Sequence, residues 1–266
     1  MKTLQTPYGL LAADEYDDKR MVAAIERGGY PAQEDIHLLL GFIDQGSIVA
    51  DIGANIGTFT LPFARAAREV HSFEPVPRNL VLLRKNVEQN ALTNVRVHDC
   101  ALGAEEGHTS FSQETVQNAG TYRAVAGGEI EVKTLDNLGL DFDVIKMDVQ
   151  GMEGRILMGA TRVLQTRPIL FFEMSGRMRE YGPSLGTLKK ILRGYTLYVD
   201  IGHGWGRVSS PRVALALMSP GVYFFGRAGR DFDILALPRG KTFVASGYVT
   251  TFVRLVAHTI RRKISI

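Results

Sequence analysis

The chain has 266 residues, 45% of them hydrophobic and 22% charged, with a formal net charge of +3. That suffices for one large domain or two small ones with a sizeable core, and excludes a disordered, collagen-like or coiled-coil chain. Six basic residues and no acid follow Asp233, which leaves residues 1–233 at −3; a basic tail on a mildly acidic body argues against a nucleic-acid-binding surface.

Residues 1–45 read as an N-terminal extension ending in a helix over Glu34–Ile43. Asp14, Glu15, Asp17 and Asp18 interrupt the stretch where the apolar core of a secretory signal would lie. From residue 46 short apolar runs alternate with helix-like segments, the pattern of a parallel sheet covered by helices. Ile48–Asp51 is a strand entering a glycine-rich turn, and Thr58–Ala67 is a helix. Val70–Phe73 is a second strand closing on Glu74, and Pro77–Asn90 is a helix with Pro77 in its first turn. After a third strand, Val95–His98, the segments His108–Phe111 and Ile130–Val132 alternate like a hairpin or edge strands around Gly127-Gly128. Phe142–Met147 closes on Asp148, and Met152–Gln165 is helical, with Ile156, Leu157, Ala160 and Leu164 on one face. Pro168–Phe172 is a strand ending at Glu173, Leu185–Leu192 a helix, Thr196–Val199 a strand, and Val222–Phe225 the last strand.

The body is thus 46–233, followed by a basic segment, 234–266. Within it, Thr242–Ile260 patterns as an amphipathic helix ahead of Arg261-Arg262-Lys263, suited to packing on its own domain, to a dimer contact or to a membrane surface. No uncharged apolar stretch approaches the ~20 residues of a spanning helix. Cys100 stands alone, so no internal disulfide forms. A cytoplasmic protein is expected, with peripheral membrane contact through the tail as the alternative.

The segment richest in chemistry is Asp51-Ile52-Gly53-Ala54-Asn55-Ile56-Gly57. Gly53 and Gly57 permit close approach to the backbone, and Asn55 tolerates a left-handed conformation. In an open α/β sheet such a turn sits at the carboxyl ends of the strands, where ligands bind. No Lys follows Gly57, as a phosphate-binding Walker loop requires, and Asn55 stands where a dinucleotide fingerprint needs a second glycine. Asp51 suits a cation better than a pyrophosphate. Glu74 is placed to accept ribose hydroxyls, which also suits NAD. The turn by itself leaves S-adenosylmethionine, a dinucleotide and an unliganded turn open.

Val49–Gly57 resembles motif I of the FkbM family of methyltransferases, and further segments resemble that family in order. They are Ser72–Pro77, Ala101-Leu102-Gly103, Asn118-Ala119-Gly120, Lys133–Asp136, Ile145–Glu153 and Phe171-Phe172-Glu173. Ile145–Glu153 resembles the family's Lys-x-Asp-x-Glu-Gly-x-Glu, with Gln150 in place of the usual Glu. The resemblance implies an α/β fold: a Rossmann-like class I methyltransferase sheet of seven mostly parallel strands, the last antiparallel, with helices on both faces. It implies S-adenosyl-L-methionine as cofactor and a small-molecule or glycan acceptor, methylated on a hydroxyl by in-line transfer. N-methylation, peptide methylation, nicotinamide-dependent oxidoreduction and an inactive ligand-binding protein are the alternatives.

Cofactor contacts are expected from Asp51, Gly53, Ala54, Asn55, Gly57, Thr58, Glu74, Pro75, Asp99, Cys100, Ala101 and Asp148. An alcohol acceptor must be held in line about 3 Å from the methyl and must lose a proton. Asp148 is the first candidate for that proton, followed by Lys146 two residues back and by His203 in a glycine-flanked loop. Asn118, Gln150, Glu153, Glu173 and Trp205 are expected at the substrate. Structural alternatives stand beside these. Asp148 could cap the next helix, Glu153 pair with Arg155, Lys146 pair with Asp148 or Glu173, Asp99 be a solvated turn residue, and Cys100 a packed one. No His/Cys cluster supports a metal, and none is expected.

Overall fold

The computed structural model describes residues 1–113, 122–126, 128–174, 178, 182–200, 205–208 and 232–241. Strands β1 (Lys2–Thr6) and β2 (Gly9–Ala13) lead to helices α1 (Lys19–Glu26) and α2 (Gln33–Leu40). Then follow β3 (Ile48–Ile52), α3 (Thr60–Ala66), β4 (Glu69–Phe73), α4 (Pro77–Gln89), β5 (Val95–His98), β6 (Ala101–Leu102), β7 (Gly107–Gln113), β8 (Tyr122–Ala126) and β9 (Ile130–Lys133). The remainder holds β10 (Val144–Met147), α5 (Glu153–Met158), β11 (Ile169–Met174), α6 (Leu185–Ile191), β12 (Tyr195–Asp200), β13 (Trp205–Val208) and β14 (Phe232–Pro238).

The main sheet runs β13-β12-β14-β11-β10-β3-β4-β5. The five strands from β11 to β5 are mutually parallel. β14 lies antiparallel between β11 and β12. This is the expected mostly parallel sheet with an antiparallel last strand; β13 adds an eighth strand at the β12 edge. The region between the third and fourth parallel strands forms its own small sheet, β6-β9-β7-β8, in which β7 pairs antiparallel with both β8 and β9.

Alternation along the strands sends side chains to two cores. Ala50, Ile52, Ile145, Met147, Leu170 and Phe172 face Ile156, Leu157 and Leu188 of α5 and α6. Val49, Val144, Ile169, Phe171 and Leu235 face Ile36, Leu39, Leu61 and Phe63 of α2 and α3. Both faces are covered, so the central strands read as near-continuous apolar runs.

Several elements differ from the sequence reading. Residues 1–45 hold a hairpin and two helices, whose Leu4, Leu11, Ala12, Val22 and Ile25 enter the same core as Val49. Met152–Gln165 is no single helix. Gly159 presses against the Gly103 carbonyl, where a Cβ would stand at 2.2 Å. The Asp136 carboxylate then accepts the N–H groups of Arg162 and Val163, at 2.9 and 3.0 Å, and starts a separate 3-10 turn. The antiparallel strand is β14, which runs across residue 233; the strand expected at Val222–Phe225 lies outside the described residues, as does the helix expected at Thr242–Ile260. Among the described residues no helix is long and apolar enough to cross a membrane.

Candidate active site

The turn after β3 is held by backbone bonds. The N–H groups of Gly53 and Ala54 both donate to the Phe73 carbonyl at 3.0 Å, and Gly57 N–H donates to the Ala54 carbonyl at 2.8 Å. Gly53, Asn55 and Gly57 have positive φ of 74°, 53° and 97°. A Cβ on Gly53 would stand 2.0 Å from the Asp148 carbonyl oxygen, so only glycine fits where the two loops meet.

Glu74 closes β4 beneath this turn and is buried. Its Oε2 accepts the Asn55 N–H at 2.8 Å; its Oε1 accepts the Val76 N–H at 3.0 Å and Asn79 Nδ2 at 3.2 Å. Three donors occupy a carboxylate with about four acceptor positions. Burial raises its pKa more than these bonds lower it.

Asp51 and Lys146 are register partners on β3 and β10 and are both buried. Lys146 Nζ lies 3.1 Å from Asp51 Oδ1, and it donates to the Gly53 carbonyl at 3.1 Å above the Phe59 ring. Asp51 Oδ2 accepts the Thr60 hydroxyl at 2.7 Å. Among the described residues its Oδ1 has no hydrogen bond of good geometry and is held by the ammonium. Burial acts to neutralise Lys146, but Asp51 and then Asp148 overcome it, and its pKa is raised. Lys146 is therefore an enclosed counter-charge to Asp51. It is not a base facing an acceptor, and its partner is neither Asp148 nor Glu173.

Asp148 follows β10 and is exposed. Its Oδ1 accepts Gln150 Nε2 at 3.0 Å. It does not cap α5, whose N-cap is Met152 with no side-chain cap bond. The side chain that ties down this turn is Glu153, whose Oε1 accepts the N–H groups of Val149 and Gly151. Glu153 is fully buried whereas Arg155 is exposed, so Glu153 neither reaches a substrate nor forms the alternative ion pair.

The remaining candidates divide. Ala54 is buried, Pro75 is half-buried, and Ala101 opens β6. Thr58 gives its carbonyl to the Tyr30 hydroxyl at 2.9 Å and turns its own hydroxyl to Met21 Sδ of α1. Asp99 is exposed beside Arg84 at 3.1 Å, which holds its carboxyl below the usual range. Cys100 is buried in the core, and burial pushes its thiol up to about 11. Glu173 is half-buried at the end of β11, register partner of Asp233. Trp205 opens β13 with its ring 6.0 Å from that of Phe171, so it is partly committed to the core. Asn118 and His203 lie outside the described residues.

Some cleft-lining residues carry no motif. Tyr30, Gln33, Glu34, Asp35, Asp200 and Asp233 line a cleft of about 600 Å³. Asp200 ends β12 and Asp233 lies near the start of antiparallel β14, so both stand at the carboxyl side of the parallel strands. Burial, with Asp200 and Glu34 adding to it, pushes Asp35 up to about 6. The only sequence signal for this cleft is the acidic first turn of α2; its meeting with Asp200 is long-range. Taken together, Asp51, Asp148 and Glu74 bear on one enclosed cation, the ammonium of Lys146. Among the described residues no group of three His, Cys, Asp or Glu is placed to hold a metal.

Residues 51–197 match the methyltransferase FkbM domain family. The chain is 28% identical over 149 residues to the hexuronic acid methyltransferase AglP of Haloferax volcanii, a match covering 53% of this chain and 62% of that protein. It is 34% identical over 113 residues to the 31-O-demethyl-FK506 methyltransferase FkbM of Streptomyces tacrolimicus, covering 40% of this chain and 41% of that protein. The matches thus span under two thirds of either relative. The crystal structure of methyltransferase FkbM from Methylobacillus flagellatus aligns with a TM-score of 0.45 and 21% identity, over 73% of this chain and 44% of that one.

Proposed function

The chain belongs to the FkbM methyltransferase domain family, and on that premise we propose that it methylates a hydroxyl of a sugar, glycan or small natural product using S-adenosyl-L-methionine. The observation that carries this reading is the carboxylate-lined turn from Asp51 to Gly57, braced by Glu74 and lacking the features of a phosphate site. When bound, S-adenosylmethionine supplies an activated methyl group next to a positive sulfur. Glu74 and the Asn55 backbone hold the ribose side of the site. Asp51 and Lys146 neutralise each other below the turn and fix its shape. Asp148, exposed and with Oδ2 lacking a hydrogen-bond partner among the described residues, accepts the proton of the acceptor hydroxyl.

The cleft beside Tyr30 has the volume of a small-molecule site. Its carboxylates disfavour an anionic acceptor, so a neutral or amino-bearing sugar is preferred to a uronate. Calorimetry tests the cofactor: S-adenosylhomocysteine binds, Glu74→Ala weakens it by about 1–3 kcal/mol, and NADH does not compete. Binding of NADH instead would overturn the reading. Transfer of labelled methyl groups to a panel of neutral, amino and acidic sugars tests the acceptor; Asp148→Asn abolishes transfer while S-adenosylhomocysteine affinity stays unchanged.

A further inference from the structure

The turn leading out of Asp148 contains a left-handed step. Gln150 has φ of 56° and Gly151 of 105°. A glutamine holds such a conformation only where its surroundings impose it. Here the two N–H groups flanking Gln150, those of Val149 and Gly151, both donate to Glu153 Oε1, at 3.0 and 3.2 Å. Held in that step, Gln150 folds back and gives Nε2 to Asp148 Oδ1 at 3.0 Å. From the other side the Asp148 N–H donates to the Ile52 carbonyl at 3.0 Å, and its carbonyl abuts Gly53. The backbone of Asp148 is thus clamped between the cofactor turn and a turn stitched by Glu153.

We propose that Glu153 is a positioning residue for Asp148: its carboxyl fixes the left-handed step through which Gln150 orients the Asp148 carboxylate toward an acceptor. The inference rests on the role given to Asp148 above. Glu153 itself is fully buried, and its Oε2 has no hydrogen-bond partner among the described residues. An oxygen in that position disfavours the charged form. Burial first, with Asp148 adding to it, pushes the acid up to about 7 against the N–H bonds that lower it. Glu153 is thus a buried acid beneath the Asp148 turn whose protonation is linked to the charge on Asp148.

A carbon-13 titration of the Asp148 carboxyl in the full chain tests the coupling without any acceptor. The Asp148 carboxyl signal is expected to shift near pH 7, where Glu153 titrates, and that response is missing in Glu153→Gln. An Asp148 signal that does not respond near pH 7 in the wild-type protein would overturn the inference. A double-mutant cycle on labelled methyl transfer to the sugar panel separates it from the reading beneath it. Glu153→Ala lowers kcat about 10- to 100-fold with S-adenosylhomocysteine affinity unchanged. It adds no further loss in the Asp148→Asn background, and Glu153→Gln, which keeps an acceptor for both N–H groups, recovers most of that loss. If Asp148→Asn is fully active, the role of Asp148 fails. If Asp148→Asn is inactive but Glu153→Ala is not impaired, the inference alone fails. Should Glu153→Ala not fold, Gln150→Ala cuts the same link and is expected to lower kcat several-fold with cofactor affinity unchanged; an unaltered kcat there also rejects the inference.

Discussion

The titratable side chains around the sheet pull stability in opposite directions with pH. His71 Nδ1 and His98 Nε2 lie 2.9 Å apart, an arrangement that needs one nitrogen unprotonated. Burial, then His71, depresses His98 to about 4 from an ordinary 6.5. The unfolded chain therefore binds more protons between those values, and stability falls as pH drops through that window. Glu153 does the reverse. Its folded value of about 7 lies above the ordinary 4.5, so the folded chain holds the extra proton and loses stability as pH rises from 4.5 to about 7. The loss amounts to roughly 3 kcal/mol. Urea unfolding across this range should show Glu153→Gln gaining on the wild type as pH rises, and His98→Phe losing less than the wild type toward pH 4.5. Parallel curves for all three proteins would show that neither group is perturbed as described.

Elements join through a few buried polar residues. Asn86 of α4 is fully buried. Its Oδ1 accepts the Ala12 N–H at 2.6 Å, and its Nδ2 donates to the carbonyls of Ala12 at 3.0 Å and Ile56 at 2.7 Å. One side chain thus pins β2, α4 and the turn after β3 together, imitating a strand partner for β2. Asn86→Leu leaves those backbone groups buried and unpaired and should cost about 3 kcal/mol or more. Val81→Ala, on the exposed side of the same helix, should fall within about 0.5 kcal/mol of wild type. Urea midpoints measured together decide the point, and equal losses would refute the pinning role.

At the scale of the whole molecule the sheet depends on a strand far along the chain. β14 completes the hydrogen-bond ladders of both β11 and β12, and Ile234, Leu235, Ala236 and Leu237 are all fully buried. A chain ended before Phe232 leaves two inner strands with open edges and an uncovered core. It should show no cooperative transition by calorimetry; a wild-type-like transition would mean the sheet stands without β14. The same order of strands gathers Glu173, Asp233 and Asp200 at one end of the sheet, from positions 173, 200 and 233 in the chain.

What the sequence determined by itself was local. Apolar runs, the turn from Asp51 to Gly57 and Pro77 at a helix start mark the strand–turn–helix units, because backbone conformation and strand periodicity follow from near neighbours. The motif order also pointed to the family and to the acids at the strand ends. Other assignments were tertiary. Lys146 had three acidic candidates, and only the β3–β10 register assigned it to Asp51. Glu153 read as a substrate residue until burial placed it beneath the Asp148 turn. The helix expected through Gln165 breaks at Gly159 because a distant loop presses on it. Residues 1–45, β14 and the cleft beside Tyr30 take their roles from contacts between segments far apart in the chain. Such contacts are fixed by which surfaces must be buried together, and no window of neighbouring residues records them.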